Sequence, residues 1–97
     1  MLKSSEHSSE NLQEEIGAIL SSDNFAYGKT DQGLCTISKT PFGYRLTLQN
    51  EPNKAILINT DGKMQEEYSG SANEISTNKM IEIANLLASF QVIDTAT

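Results

Sequence analysis

Apolar positions along this chain change period twice. Leu12, Ile16, Ile19 and Leu20 recur three or four residues apart, as on one face of a helix. Asn11 with Glu14 has capping-box spacing, in which each side chain accepts a free amide proton, so the helix is predicted to start there. The period then falls to two. Phe25 and Tyr27 alternate, Cys35 and Ile37 share a face, and Tyr44, Leu46 and Leu48 oppose Arg45, Thr47 and Gln49, which is the signature of half-buried strands. Ala55 to Ile58 is a continuous apolar run. Met64 to Tyr68 mixes Gln65, Glu66 and Glu67 into the next strand, a composition suited to a sheet edge. Helical spacing returns at Met80, Ile83, Ala84 and Leu87. Ser76 or Thr77 is the expected cap of a rigid helix beginning near Asn78, and Ser71 with Glu74 marks a longer alternative.

The segments between these runs carry turn chemistry: Thr30-Asp31-Gln32-Gly33, Thr40-Pro41-Phe42-Gly43, Glu51-Pro52-Asn53-Lys54 and Thr60-Asp61-Gly62-Lys63. Asp61-Gly62 suits a two-residue hairpin with positive φ at both positions. Ser69-Gly70-Ser71 reads as the break after the last strand. The expected architecture is a two-layer α+β fold: an N-terminal helix, a meander of four or five antiparallel strands, and a C-terminal helix. Residues 1–9 are serine-rich without apolar periodicity and read as a disordered tail, leaving 10–97 as a single domain.

Composition narrows the function classes. Thirteen acidic against seven basic residues give a net charge of −6, a field that repels phosphate backbones, so nucleic acid is not an expected partner. No apolar run approaches a secretory signal or the roughly 20 residues that span a bilayer, which predicts a cytoplasmic protein with no membrane partner. The lone cysteine, Cys35, has no second thiol to pair with and reads as a buried core residue.

No reactive centre emerges, so no catalytic residue, metal site or cofactor is expected and the chain reads as no enzyme. His7 is the only histidine and falls in the tail. Cys35 lies between Leu34 and Thr36, neither of which activates a thiol. Gly28-Lys29-Thr30 resembles the end of a phosphate loop, yet Asp23 stands where its first glycine is needed. Asn59-Thr60-Asp61-Gly62 has part of the composition of a calcium loop, but Leu57 occupies the first-ligand position. Glu66 and Glu67 are adjacent in a strand and point to opposite faces.

What stands out is apolar surface in excess. If Leu46, Leu48, Ile56 and Ile58 face the helices, alternation sends Leu34, Ala55 and Leu57 to the opposite face, among Thr36, Arg45, Thr47 and Gln49. Ile81, Leu86 and Phe90 widen the stripe of the C-terminal helix beyond what one sheet face requires. These six residues are the expected partner-binding set, for a client protein or for a homodimer.

The segments Leu12-Gln13-Glu14-Glu15-Ile16, Asp31-Gln32-Gly33-Leu34-Cys35-Thr36-Ile37 and Tyr44-Arg45-Leu46-Thr47-Leu48 follow one another in an order that resembles the opening helix, acidic-glycine turn and first strands of class I type III secretion chaperones. The resemblance covers the first half of the chain and implies a small acidic cytoplasmic dimer that holds an effector's targeting segment extended on its surface. The function expected from the whole sequence is that of a non-catalytic acidic binding adaptor or chaperone-like protein. The alternative is an acidic inhibitor or immunity-type protein that blocks a basic enzyme such as a nuclease.

Overall fold

The computed structural model describes residues 9–95; residues 1–8 of the expected tail 1–9 lie outside them, and Ser9, its last residue, belongs to the first helix. Helix α1 (Ser9–Leu20) leads into strands β1 (Phe25–Thr30), β2 (Gly33–Thr40), β3 (Gly43–Leu48), β4 (Lys54–Asn59), β5 (Met64–Tyr68) and β6 (Ser71–Glu74). Helix α2 (Thr77–Ser89) and strand β7 (Gln91–Thr95) complete the described residues. All strand pairings are antiparallel in one sheet of order β6-β5-β4-β3-β2-β1-β7. The fold is thus α+β in two layers, with seven strands where four or five were expected. Six run as a meander, and the seventh returns beside β1 after α2, so that helix is not the last element.

Two local causes account for the extra strands. Ser69 and Gly70 both take positive φ, 50° and 90°, the backbone of a tight two-residue hairpin, so the segment reverses the chain onto β6 where a break was expected. At the other end Phe90 leaves the helical region at φ −66°, ψ 124°, and its amide donates to the Leu87 carbonyl at 3.2 Å. From there the chain runs extended as β7. Conversely, Asp61-Gly62 belongs to a four-residue loop, 60–63. Only Gly62 has positive φ, at 92°, and the Asp61 carboxylate accepts from the Lys63 amide at 3.0 Å. Helix α1 begins at Ser9, which places Asn11 inside the first turn and not at the cap. Ser76 caps α2, its hydroxyl accepting from the Lys79 amide at 3.2 Å.

Both helices lie on one sheet face. The register Ile37↔Leu46↔Ile56 and Tyr44↔Ile58↔Met64 aligns apolar rows beneath them, and Leu12, Ile16, Leu20, Ile83, Leu86 and Leu87 close the core from above. Helix α1 covers the Tyr44–Ile58 row: a Cβ on Gly17 would stand 3.7 Å from the Tyr44 hydroxyl, and Gln13 Nε2 donates to the Asn59 carbonyl at 3.0 Å. Strand β7 approaches β1 where Gly28 leaves room. An added Cβ there would run into the Phe90 ring and lie 2.6 Å from the Gln91 carbonyl oxygen.

Candidate functional site: a recess beside helix α2

The predicted alternation holds, but the patch it implied is not open. Leu34 and Leu57 are half-buried on the face away from the helices, and Ala55 is only 2% exposed. Two polar links explain this. On that face the Tyr27 hydroxyl donates to Gln49 Oε1 at 3.3 Å, reaching across β2, and Arg45 reaches Glu67 across β4 at 3.7 Å. Strand β2 carries Leu34, while β4 carries Ala55 and Leu57, so the apolar side chains lie under long polar ones with wet heads. Leu34 and Leu57 also sit two strands and two residue rows apart, with Thr36 and Thr47 between them.

The helical half of the predicted set divides as well. Leu86 is buried, because α2 packs on α1 as well as on the sheet and the broad stripe serves two contacts. Leu86 therefore belongs to the core, with one side bordering the recess beside α2. Phe90 is half-buried over Gly28, and Ile81 is half-buried outside the main core cluster. The large apolar side chains that remain exposed are others: Phe42, Tyr68, Val92 and Ile93.

A different site appears on the helical face. Helix α1 packs on β3 and β4 and α2 packs on α1 and β1, and between α2 and strands β3 and β4 lies a shallow recess with a cavity volume of about 30 Å³. Its apolar lining comes from Leu46 and Leu48 of β3, Ala55 and Ile56 of β4, and Ile83 and Leu86 of α2, so that two residues of the predicted set, Ala55 and Leu86, border it. Five charged residues line its mouth in alternation. Lys54 Nζ lies 3.5 Å from Glu51 and 4.0 Å from Glu66, and Lys79 Nζ lies 3.5 Å from Glu66 and 3.7 Å from Glu82. Glu66 thus joins both lysines, while Glu51 and Glu82 end the chain with one lysine each. Lys54 also stands 5.7 Å above the Tyr68 ring, extending the rim onto β5.

The sequence showed the apolar lining and part of the rim but not the site, and it gave no signal for Lys79 or Glu82. Leu46, Leu48 and Ile56 were assigned to the helical face, and Glu66 to an edge strand. Their assembly depends on where two helices stop covering a sheet, which no local pattern encodes.

Chemically the recess offers packing and ion pairing. Among the described residues no group of three or more His, Cys, Asp or Glu is placed to hold a metal ion. Cys35 is fully buried in the core, and burial pushes its thiol up to about 12, so it stays protonated at neutral pH and is a poor nucleophile. No described helix is long and apolar enough to cross a membrane. Comparisons with protein-family models, with curated proteins and with solved structures find no match for this chain.

Proposed function

We propose that this protein is a non-catalytic binding module, an adaptor or chaperone-like protein, that seats an apolar side chain of a protein partner in the recess beside α2. The observation that carries this reading is the wall formed by Leu46, Leu48, Ile56, Ile83 and Leu86, left open at a charged rim. Apolar surface lining a concavity gains about 25 cal/mol per Å² when a partner covers it, and a fixed charged rim limits what enters. The resemblance of the first half to secretion chaperones points to the same class of partner, an extended segment of another protein.

The test is a nitrogen–proton NMR titration with a capped tripeptide, acetyl-Leu-Phe-Leu-amide. The expected result is saturable shifts at Leu46, Leu48, Ile56, Ile83 and Leu86, lost when Ile56→Trp fills the recess without unfolding the protein. Shifts scattered over the surface, or none, would remove the basis for this reading. The inhibitor alternative separates by salt: binding governed by the overall charge of −6 collapses between about 0.05 and 0.5 M salt, whereas seating of a neutral apolar peptide hardly changes.

A further inference from the structure

We infer that the first two turns of α2, residues 77–83, form a latched lid that must lift before the recess admits a side chain. The inference rests on the binding reading above and adds the regulation of that site. Size requires a moving part. A cavity of about 30 Å³ holds about one or two water molecules, less than a large apolar side chain fills. On one side of it β3 and β4 are interior strands, each paired along both edges. On the other side α2 is held unequally along its length.

The C-terminal half is anchored by buried contacts. Leu86 and Leu87 lie in the core, the Ser89 hydroxyl accepts from the Asp31 amide at 3.0 Å, Phe90 packs over Gly28, and β7 continues into a ladder with β1. The N-terminal half follows the exposed strand β6 and begins with Thr77 and Asn78 in solvent, with Ile83 as its buried side chain. Its link to β5 is ionic: Lys79 Nζ lies 3.5 Å from Glu66, which Lys54 of β4 holds from the other side at 4.0 Å. Just before the helix, the Ile75 amide donates to the Met64 carbonyl at 3.2 Å, so the lid lifts between two fixed points. Half-exposed ion pairs are individually weak, and this half is therefore the one that detaches first. Detachment unburies Ile83, which keeps the open state a minor one. Two freed turns do not hold a helix by themselves, so the lid unwinds as it lifts. The ion pairs that fix the rim thus set how often the recess opens.

Amide hydrogen exchange of the full chain, followed by NMR, tests this with Lys79→Gln. Exchange at residues 80–83 is expected to quicken about two- to fivefold, the equivalent of one exposed ion pair, while residues 86–89 and the amides of β2 and β3 keep their rates. Lys79 also contacts Glu82 within the helix at 3.7 Å, so Glu66→Gln isolates the link to the sheet, and it gives the same pattern. Acetyl-Leu-Phe-Leu-amide then binds Lys79→Gln tighter by the same factor, since more of the protein is open. Unchanged rates at 80–83 in Glu66→Gln, or an acceleration spread over the whole chain, overturn the lid and leave the binding reading standing where the peptide still shifts the recess residues. Equal peptide affinity in Lys79→Gln and the native protein, with exchange accelerated, equally overturns it. Selective acceleration with no peptide shifts at the recess upholds the latch and overturns the binding reading.

Discussion

Strands β1 to β4 and strands β5 and β6 belong to one sheet but live under different physics. The first four lie beneath α1 and α2 and supply Ala26, Cys35, Ile37, Leu46 and Ile58 to the core, whereas β5 adds only Met64 and β6 adds nothing, all four of its residues being exposed. In the covered part, burial of apolar rows holds the strands. In the wing, ladder hydrogen bonds and a tight turn suffice, and apart from Tyr68 and Ala72 its exposed residues are polar or charged. The recess forms at the boundary between the two, with a wall drawn from the covered part and a rim, Lys54 and Glu66, that reaches the wing.

The largest expected contrast is between Ile37→Ala and Ala72→Ser. Ile37 is fully buried at the centre of the core, so its truncation costs about 3 kcal/mol, while the exposed β6 substitution stays within about 0.5 kcal/mol. Urea denaturation of the two variants measures both, and comparable losses would break the distinction. Next in size is Gly28→Ala. The new Cβ runs into the Phe90 ring and meets the Gln91 carbonyl oxygen at 2.6 Å, and overpacking of this kind costs about 2 kcal/mol. Hydrogen exchange should accelerate first at β7, the strand that must move, and not at β6.

The effect that vanishes at neutral pH is a pH dependence confined to the covered part. The Cys35 thiol is raised by burial from 9.0 to about 12, so the folded state favours the neutral form. Its contribution is whole below pH 9 and is lost as pH rises from 9 to 12, because the unfolded chain ionises first. The slope is somewhat over about 1 kcal/mol per pH unit. Stability of the native protein against Cys35→Ala, measured at several pH values in that window, isolates the effect. A difference that does not change with pH would place the thiol in contact with water.

The sequence was most legible where one residue type answers one local demand. Tyr44, Leu46 and Leu48 alternate because one face of β3 is buried, and Pro41 with Gly43 marks a real turn, in which the Thr40 hydroxyl accepts from the Phe42 and Gly43 amides. Strand β6 was illegible because Ser-Ala-Asn-Glu carries no apolar period: it is exposed throughout and held by its ladder. Strand β7 was hidden because Phe90 continues the helical spacing of α2 while acting as its cap. Leu86 was assigned outward because a stripe wider than one sheet face requires looks like surplus until α1 is known to pack beside it.

By itself, then, the sequence determined the two helices, the meander of β1 to β5 and the side to which each strand residue points, since hydrophobic period and turn chemistry act over a few neighbouring residues. Tertiary structure alone decided which apolar side chains remain accessible. Arg45 reaching Glu67 across β4, Tyr27 reaching Gln49 across β2, and the packing of α2 on α1 are set by pairing between distant segments. Exposure is a property of those pairings, and for that reason the candidate site moved from the face of Leu34 and Leu57 to the recess lined by Leu46, Ala55, Ile56 and Ile83.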